Sequence, residues 1–432
     1  MKRTPKPHGE QHGLGTLAIV IGLFLVMGLI STFAARTLML EQRMAGHHYR
    51  GALADEMVEA GIDWAVALLN AGAIDSQCKP ALQGQRFVDR YLTVSAANRR
   101  TEPKAPAGQW VVDCTRTAAG LECRCPAPGS RTPAAAAAAG ADYTPSFALA
   151  LGVDQPNPHL GSWIIESWGC TEAAADACQA SAQTRSESAL AVSRQRAAVG
   201  FVAAVPTPPN VPLTVRGHLT LKAGASLALQ NTDPAGSGQL VLSGQSSPAL
   251  DDSRLATRPG MTVAQGKRFS DGAVSALTVD RLFHGHMGWL PQRYRQHPAL
   301  REVACPVTDC AAALHAAEAA GSRMLWVDGP LRWTGGGVLG TSAAPLVLVV
   351  AGDAHLTGPL QFNGLLVVLG DVHWSNLGPA PAQLNGMLLA LGDMHLEGAA
   401  QLQWNGPIAD ALRNQVGSYV RVSGGWQDLE TQ

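Results

Sequence analysis

Three copies of the motif Gly-Asp-x-His carry side chains that could do chemistry. They pair Asp353 with His355, Asp371 with His373, and Asp393 with His395. Residues two apart on a strand share a face, so stacked strands could align three carboxylates and three imidazoles for metal binding or acid–base catalysis. Aspartate after glycine is also ordinary turn chemistry, and a repeat copies surface residues as faithfully as functional ones. The turn interpretation is favoured, and no metal or cofactor is predicted.

The cysteines form a second reactive set of eight. Close spacing predicts two local disulfides, Cys170 with Cys178 and Cys305 with Cys310. Three connectivities remain open for the other four, Cys78, Cys114, Cys123 and Cys125. Zinc held by three of these four is an alternative, but no second CxxC or histidine pair completes a tetrahedron. Disulfides favour an oxidising compartment.

The residues around the candidate catalytic and cofactor-binding motifs do not fit such sites. The stretch Gly335–Gly340 fits G-x-G-x-x-G, but a strand is predicted after it where a dinucleotide site needs a helix. His284 and His286 have no carboxylate or third histidine nearby, so a loop is predicted there. The sequence contains no G-x-S-x-G, Walker or HExxH motif, and we predict that the protein is not an enzyme.

Composition narrows the class of protein further. The 432 residues imply more than one folded unit. Net charge is -1 with no lysine and arginine run, which argues against nucleic-acid binding. With 46 glycines, 27 prolines and 15% charged residues, a β-rich body is expected.

The amino-terminal stretch, which precedes the β-rich part of the chain, is apolar. Residues 14–35 carry no charge, and about 22 residues at roughly 1.5 Å each cross a hydrocarbon core of roughly 30 Å. Lys2, Arg3 and Lys6 precede it, so the positive-inside rule keeps the amino terminus cytoplasmic and sends the rest outward. A lipid bilayer is therefore the first predicted partner.

The helix is expected to continue beyond the apolar stretch. Asn70 and Gly72 are candidate cap residues, which implies a rod of about 55 residues. A simple anchor with a separate juxtamembrane helix is the alternative. Apolar residues recur every three or four positions and predict a face that docks on the folded head, formed by Leu53, Met57, Ala60, Trp64 and Leu68.

The stretch "QHGLGTLAIVIGLFLVMGLISTFAARTLMLEQRMAGHHYR", followed by "EAGIDWAVALLN", resembles the amino-terminal region of PilX-type pilus assembly proteins, a branch of the type IV pilin-like proteins. The resemblance covers about the first 70 residues. It implies a basic leader removed by prepilin peptidase after Gly13, so that the mature chain starts at Leu14, with Gly15 as a second choice of cleavage position.

One position departs from that pattern. Pilins usually carry a glutamate five residues after the cut, and Ala18 stands there in this chain. A carboxylate inside a membrane is costly and is kept where a partner charge meets it. In pilin assembly, the resemblance implies that the partner charge is the terminal amine of a neighbouring subunit. A subunit without the glutamate is expected at a filament tip or as an initiator of assembly.

Short apolar runs predict strands in the next part of the chain, "QWVVDC", "SFALALGV", "SWIIESWGC" and "ALAVSRQRAAVGFVAAV". By analogy with pilins they would form an antiparallel sheet against the helix. The segment "CPAPGSRTPAAAAAAGADYTP" is predicted to be an exposed loop. Closely spaced prolines in "VPTPPNVP", residues 205–212, predict a boundary.

The carboxy-terminal part contains a repeat. "QFNGLLVVLGDVHW" starts at Gln361 and "QLNGMLLALGDMHL" at Gln383, and shorter copies start at Met324, Pro345 and Gln403. Self-similarity at about 20 residues predicts stacked parallel rungs, as in β-solenoids or layered sheets. Tight turns are predicted at the asparagine that precedes glycine in each copy, Asn363, Asn385 and Asn405.

The predicted fold is therefore α+β, with a long amino-terminal transmembrane and amphipathic helix packed on a pilin-like antiparallel sheet, followed by a β-rich, possible β-solenoid domain. The predicted segments are a basic leader, the long helix with its membrane part at 14–35, a pilin-like head and a repeat-containing domain, at residues 1–13, 14–72, 73–205 and 206–432.

The predicted function is a minor pilin-like subunit in type IV pilus assembly. Implied partners are other pilins and minor pilins, the inner-membrane assembly platform and prepilin peptidase, with the head in the periplasm and then in the pilus. A tip pseudopilin of a type II secretion system is one alternative. A membrane-anchored surface enzyme or glycan-binding protein is another, and its candidate aromatic row is Trp326, Trp333, Trp374 and Trp404.

Overall fold

The computed structural model describes most of the chain, namely residues 13–104, 111–118, 120–126, 144–151, 161–171, 191–246 and 248–428. Residues 1–12 of the predicted leader, most of the predicted alanine-rich loop and Cys178 lie outside the described residues.

The described helices are one very long helix and several short ones. In chain order they are α1 Gly13–Asn70, α2 Phe87–Tyr91, α3 Val263–Gly266, α4 Gly272–Ser275, α5 Val279–Met287, α6 Pro291–Tyr294, α7 Ala311–Ala319 and α8 Gly406–Asn414. A 3-10 turn spans Asp252–Arg254. The long helix runs without interruption through the predicted membrane part and the predicted docking part, so a separate juxtamembrane helix is excluded.

The strands before the proline-rich boundary are β1 Ala73–Ile74, β2 Gln85–Arg86, β3 Leu92–Val94, β4 Thr101–Pro103, β5 Val111–Thr117, β6 Gly120–Arg124, β7 Ser146–Leu151, β8 Ser162–Cys170 and β9 Val192–Ala203. The four apolar runs that predicted strands correspond to β5, β7, β8 and β9, and this prediction is confirmed. These four strands pair in that order as antiparallel neighbours, with the second half of α1 on one face.

The strands after that boundary are β10 Leu213–Val215, β11 Leu219–Leu221, β12 Ser226–Asn231, β13 Val241–Ser243, β14 Leu255–Thr257, β15 Lys267–Arg268, β16 Leu300–Val303, β17 Met324–Val327, β18 Leu331–Thr334, β19 Val338–Leu339, β20 Leu346–Val350, β21 Ala354–Thr357, β22 Gln361–Val368, β23 Val372–Asn376, β24 Ala382–Ala390, β25 Met394–Gln403 and β26 Gly417–Asp428.

The last strand returns to the antiparallel sheet. β26 pairs with β9, with Tyr419 opposite Phe201, so this sheet has the order β26-β9-β8-β7-β5-β6 in the described residues. The predicted segment 206–432 places β26 with the repeats, and the structure corrects that assignment. The whole parallel part is thus inserted between two neighbouring strands of the antiparallel sheet.

The repeats pair in parallel and in register. Gln361 lies opposite Gln383 and Asn363 opposite Asn385, so the 22-residue offset along β22 and β24 is the register of the sheet. Parallel pairing of stacked copies was predicted and is confirmed. The sheet curves partway round an apolar core, in the manner of a half-barrel. Closure into a β-solenoid stays a prediction.

The central strands of this sheet are buried on both faces. Leu346 and Leu348 of β20 point into the core inside the curve, while Val347 and Val349 pack in a second core beneath α5, α6 and α8. Continuous runs such as "LVLVV" are typical of strands covered on both sides. The helix α5 contains both His284 and His286, so the loop that we predicted around them is wrong.

Candidate functional sites: the long helix and the repeat columns

The first half of α1 exposes an apolar surface. From Gly15 to Met44 every residue is exposed, including Phe24 at 70% and Phe33 at 73%. The helix is long and apolar enough, by length and composition, to cross a membrane. Gly13 and Leu14, the predicted cleavage pair, lie in its first turn, and their cleavage stays a prediction.

The second half of α1 packs on the antiparallel sheet. All five predicted docking residues lie on the covered side: Met57 and Leu68 are buried, while Leu53, Ala60 and Trp64 are half-buried. The contact face is wider than the predicted stripe. It also contains the buried residues Ala54, Val58, Ile62, Ala65 and Leu69.

Small residues set how closely the helix approaches the sheet. A Cβ on Gly61 would lie 2.5 Å from Ser167 Oγ and 3.0 Å from the Phe147 ring. A Cβ on Gly169 of β8 would overlap the helix backbone at Ala54 and lie 2.6 Å from the Val58 nitrogen. Ser167 Oγ donates a hydrogen bond to the Val58 carbonyl oxygen at 3.0 Å. Sequence reasoning missed these contacts because the helix and β8 lie far apart along the chain.

The end of the helix is tied to the last strand. Asn70 Nδ2 donates to the Tyr419 carbonyl oxygen at 2.8 Å, and Asn70 Oδ1 accepts from the Tyr419 nitrogen at 2.8 Å. Nearby, Arg421 forms an ion pair with Glu59 at 2.6 Å. The helix ends at Asn70, as its predicted cap suggested, and the amide acts there as a strand-like partner for β26.

The disulfides lie in both parts of the molecule. Cys305 is bonded to Cys310, the predicted pair. Cys78 is bonded to Cys125 and Cys114 to Cys123, which selects one of the three open connectivities and removes the thiolates that a zinc site would need. Cys170 is also disulfide-bonded, and its predicted partner Cys178 lies outside the described residues.

The aspartates of the Gly-Asp-x-His motifs form a column at a bend between strands. Asp353 Oδ1 accepts from the Asp371 nitrogen at 2.8 Å, and Asp371 Oδ1 accepts from the Asp393 nitrogen at 2.7 Å. Asp393 Oδ1 in turn accepts from the His218 nitrogen at 2.8 Å. Each carboxylate therefore bonds the backbone of the next rung, which agrees with the predicted turn role.

The histidines form a second column of half-buried side chains on β21, β23 and β25. The rings of His355 and His373 stack at 4.9 Å, and those of His373 and His395 at 5.0 Å, nearly parallel. Burial, the neighbouring His373 and Arg332 lower the pKa of His355, and Asp353 opposes them. Among the described residues no group of three or more His, Cys, Asp or Glu side chains is arranged to hold a metal ion.

The asparagines before glycine form a third column, and here our prediction of tight turns is wrong. Asn363 and Asn385 lie inside β22 and β24, and Asn385 Nδ2 donates to Asn363 Oδ1 at 3.1 Å. Asn405 Nδ2 donates to Asn385 Oδ1 at 3.2 Å, while its own Oδ1 caps the first turn of α8. An amide both donates and accepts, so it can repeat along parallel strands.

The tryptophans do not form an exposed row. Trp326, Trp333 and Trp374 are 2%, 1% and 1% exposed, so the aromatic surface that a glycan-binding repeat would need is absent at these three positions. Trp404 alone of the four is half-buried and lines a pocket. His286 lies on α5 with its Nδ1 2.9 Å from the Thr207 carbonyl oxygen, and burial lowers its pKa.

Comparison with known proteins gives a distant likeness to a pilin. No protein family matched the chain, and no curated protein did. Among solved structures, the crystal structure of the competence-associated pilin ComZ from Thermus thermophilus is similar at 11% sequence identity and a TM-score of 0.20. That match covers 88% of this chain and 96% of the other. At this TM-score the likeness is too weak to assign a function, which has to come from the residues of the chain itself.

Proposed function

We propose that this protein is a minor pilin-like subunit that takes part in type IV pilus assembly. One observation carries the proposal: the single helix α1 has two environments. It exposes an uncharged apolar surface up to Arg36 and packs on the antiparallel sheet from Ala54 onward. The first half needs a non-aqueous partner, while the second half fixes the direction in which the helix leaves the folded body.

Two partners fit the exposed half. The hydrocarbon of a bilayer covers it before assembly, and the equivalent helices of other pilins and minor pilins cover it in a filament. Association of such helices rests on packing, since lipid tails are as apolar as leucine. A Cβ added at Gly22 or Gly28 would meet no other part of the folded chain within 4 Å, so both positions offer places for close approach of another helix.

Several features support the location. The disulfides Cys78–Cys125, Cys114–Cys123 and Cys305–Cys310 favour an oxidising compartment for everything after α1. The basic residues before the apolar stretch favour a cytoplasmic amino terminus in the inner membrane. The sequence resemblance implies two further partners, prepilin peptidase and the assembly platform. Exposed Ala18, in the place of glutamate, favours a tip or initiator position.

The decisive experiment is mass spectrometry of the mature amino terminus in the native host. A chain that begins at Leu14 is expected. An intact Met1 would indicate a simple anchor, and a cut beyond Ala35 would indicate secretion; either result contradicts the proposal.

Co-assembly gives a second test. Sheared filaments should contain the protein, and Gly28→Leu should reduce its incorporation because the added side chain blocks close helix contact. Leu29→Met, which conserves volume, is the matched control. Since residue 28 contacts nothing in the folded body, the variant should still reach the membrane in normal amounts. Normal incorporation of Gly28→Leu would contradict helix packing at that position.

A further inference from the structure

A pocket of about 490 Å³ lies beside the start of α8, next to the Asn405 end of the asparagine column, and is lined by no residue of α1. The Pro208–Asn210 segment, the 233–237 loop and the first turns of α8 form its walls. Its volume is in the range of small-molecule sites. The side chains that line it combine an indole, two carboxylates, a guanidinium, an amide and a hydroxyl, from Trp404, Asp233, Asp410, Arg413, Asn210 and Ser237.

The indole is held in place before any ligand arrives. Trp404 Nε1 donates to the Pro209 carbonyl oxygen at 3.0 Å. Gly236 lies against the other edge of the ring, where a Cβ would come within 2.8 Å of Cζ3. The ring is half-buried, in contrast to the tryptophans inside the repeats. A fixed aromatic surface loses little entropy on binding.

The walls of the pocket are also fixed. Ser237 Oγ donates to the Asn210 carbonyl oxygen at 2.5 Å, and Asn231 Nδ2 donates to the same oxygen at 3.1 Å. Asp233 Oδ1 accepts from the Ala235 nitrogen at 2.8 Å, which orients its carboxylate next to the start of α8. The two loops are therefore joined to each other across the pocket floor.

The charged side chains at the rim of the pocket keep unused hydrogen-bonding capacity. Asp410 and Arg413 are exposed on α8, and neither forms an ion pair with any other described residue. Two carboxylates and one guanidinium give the lining a net charge of -1. Strongly anionic ligands are therefore disfavoured, whereas a neutral ligand with several hydroxyl groups can donate to the carboxylates and accept from the guanidinium.

We propose that this pocket binds a neutral saccharide, with a pyranose unit against Trp404 and its hydroxyls bonded by Asp410 and Arg413. The indole supplies the large apolar contact that such an amphipathic ring needs, while its Nε1 stays bonded to Pro209. The carboxylate and the guanidinium supply directional, charge-assisted hydrogen bonds. The inference is independent of pilus assembly, because it uses no residue of α1.

The test uses the full chain in a zwitterionic detergent, since glycosidic detergents would compete. The probes are the methyl glycosides of glucose, galactose, mannose and N-acetylglucosamine, titrated by calorimetry and by ligand-observed NMR. At least one should bind. Asp410→Ala and Arg413→Ala should each weaken binding by roughly tenfold, the effect of losing one hydrogen bond to a charged group.

Arg281→Ala, an exposed position on α5 outside the pocket, is the matched control and should bind as the parent chain does. Both pocket variants alter exposed side chains, so the fold should be retained, as checked by circular dichroism. Absence of binding by all four glycosides at millimolar concentration would overturn the proposal. Binding that survives both pocket variants unchanged would place the ligand elsewhere and would also overturn it.

Discussion

Because α1 packs closely on β8, we expect that a larger residue at Gly61 weakens the docking of the helix. Alanine favours an exposed helix interior over glycine by about 1 kcal/mol. Gly51→Ala should gain this amount, because nothing lies within 4 Å of its added Cβ. Gly61→Ala gains the same propensity but places its Cβ 2.5 Å from Ser167 Oγ and 3.0 Å from the buried Phe147 ring. Overpacking of this kind costs about 1–3 kcal/mol.

The two variants should therefore differ by about 1–3 kcal/mol in the free energy of helix docking. Hydrogen exchange of peptides covering residues 54–69, measured by mass spectrometry, reports that energy locally. Gly61→Ala should exchange roughly 5- to 150-fold faster than Gly51→Ala, because 1.4 kcal/mol corresponds to a factor of ten.

A double variant identifies the contact responsible. Ser167→Ala removes the hydroxyl that meets the new Cβ, so in the Gly61→Ala background it should cost less than in the parent chain. In the parent chain it loses the bond to Val58, worth about 1 kcal/mol. Equal protection in Gly61→Ala and Gly51→Ala would refute close packing at this position.

Three further predictions concern the rest of the molecule. Burial lowers the pKa of His297 to about 4, against about 6.5 in an unfolded chain, so its stabilising effect is complete above pH 6.5 and is lost as the pH falls toward 4. Between pH 7.5 and 5 this loss is about 2 kcal/mol, and His297→Gln should remove that part of the pH dependence in urea unfolding. Asn385→Ala breaks both bonds of the amide column and should cost about 1–3 kcal/mol, whereas exposed Gln383→Ala should be nearly neutral in the same assay. Asp371→Ala should lower the midpoint of thermal unfolding while Asp371→Asn, which keeps an acceptor for the Asp393 nitrogen, should not; equal midpoints would argue against the carboxylate bond.

Much of the local structure was predictable because local patterns encode it. Periodic apolar residues indicated the docking side of α1, and Asn70 marked its end. The self-similarity of the segments from Gln361 and Gln383 indicated the parallel register, since identical rungs bury their apolar side chains when equivalent residues align. The tight turns predicted at Asn363 and Asn385 failed because an amide inside a parallel sheet can bond its own copy on the next rung.

The exposed helix and the pocket differ in how far the sequence predicts them. The exposed apolar helix is predictable from the sequence, since the absence of charge over residues 14–35 depends on no other part of the chain. The pocket at Trp404 is not, because its walls come from three segments that are distant along the chain, and the four tryptophans look alike until the fold buries three of them.

By itself, then, the sequence determined the long helix, the strands β5, β7, β8 and β9, the alignment of the repeats, and the need of the first helix for a non-aqueous partner. Only the tertiary structure decided that β26 pairs with β9, that Cys78 bonds Cys125, and that the carboxylate of Asp371 is used by the backbone of the next rung. The physical reason is that these contacts join residues whose proximity depends on the path of the whole chain, whereas helix and strand patterns depend on neighbours a few residues away.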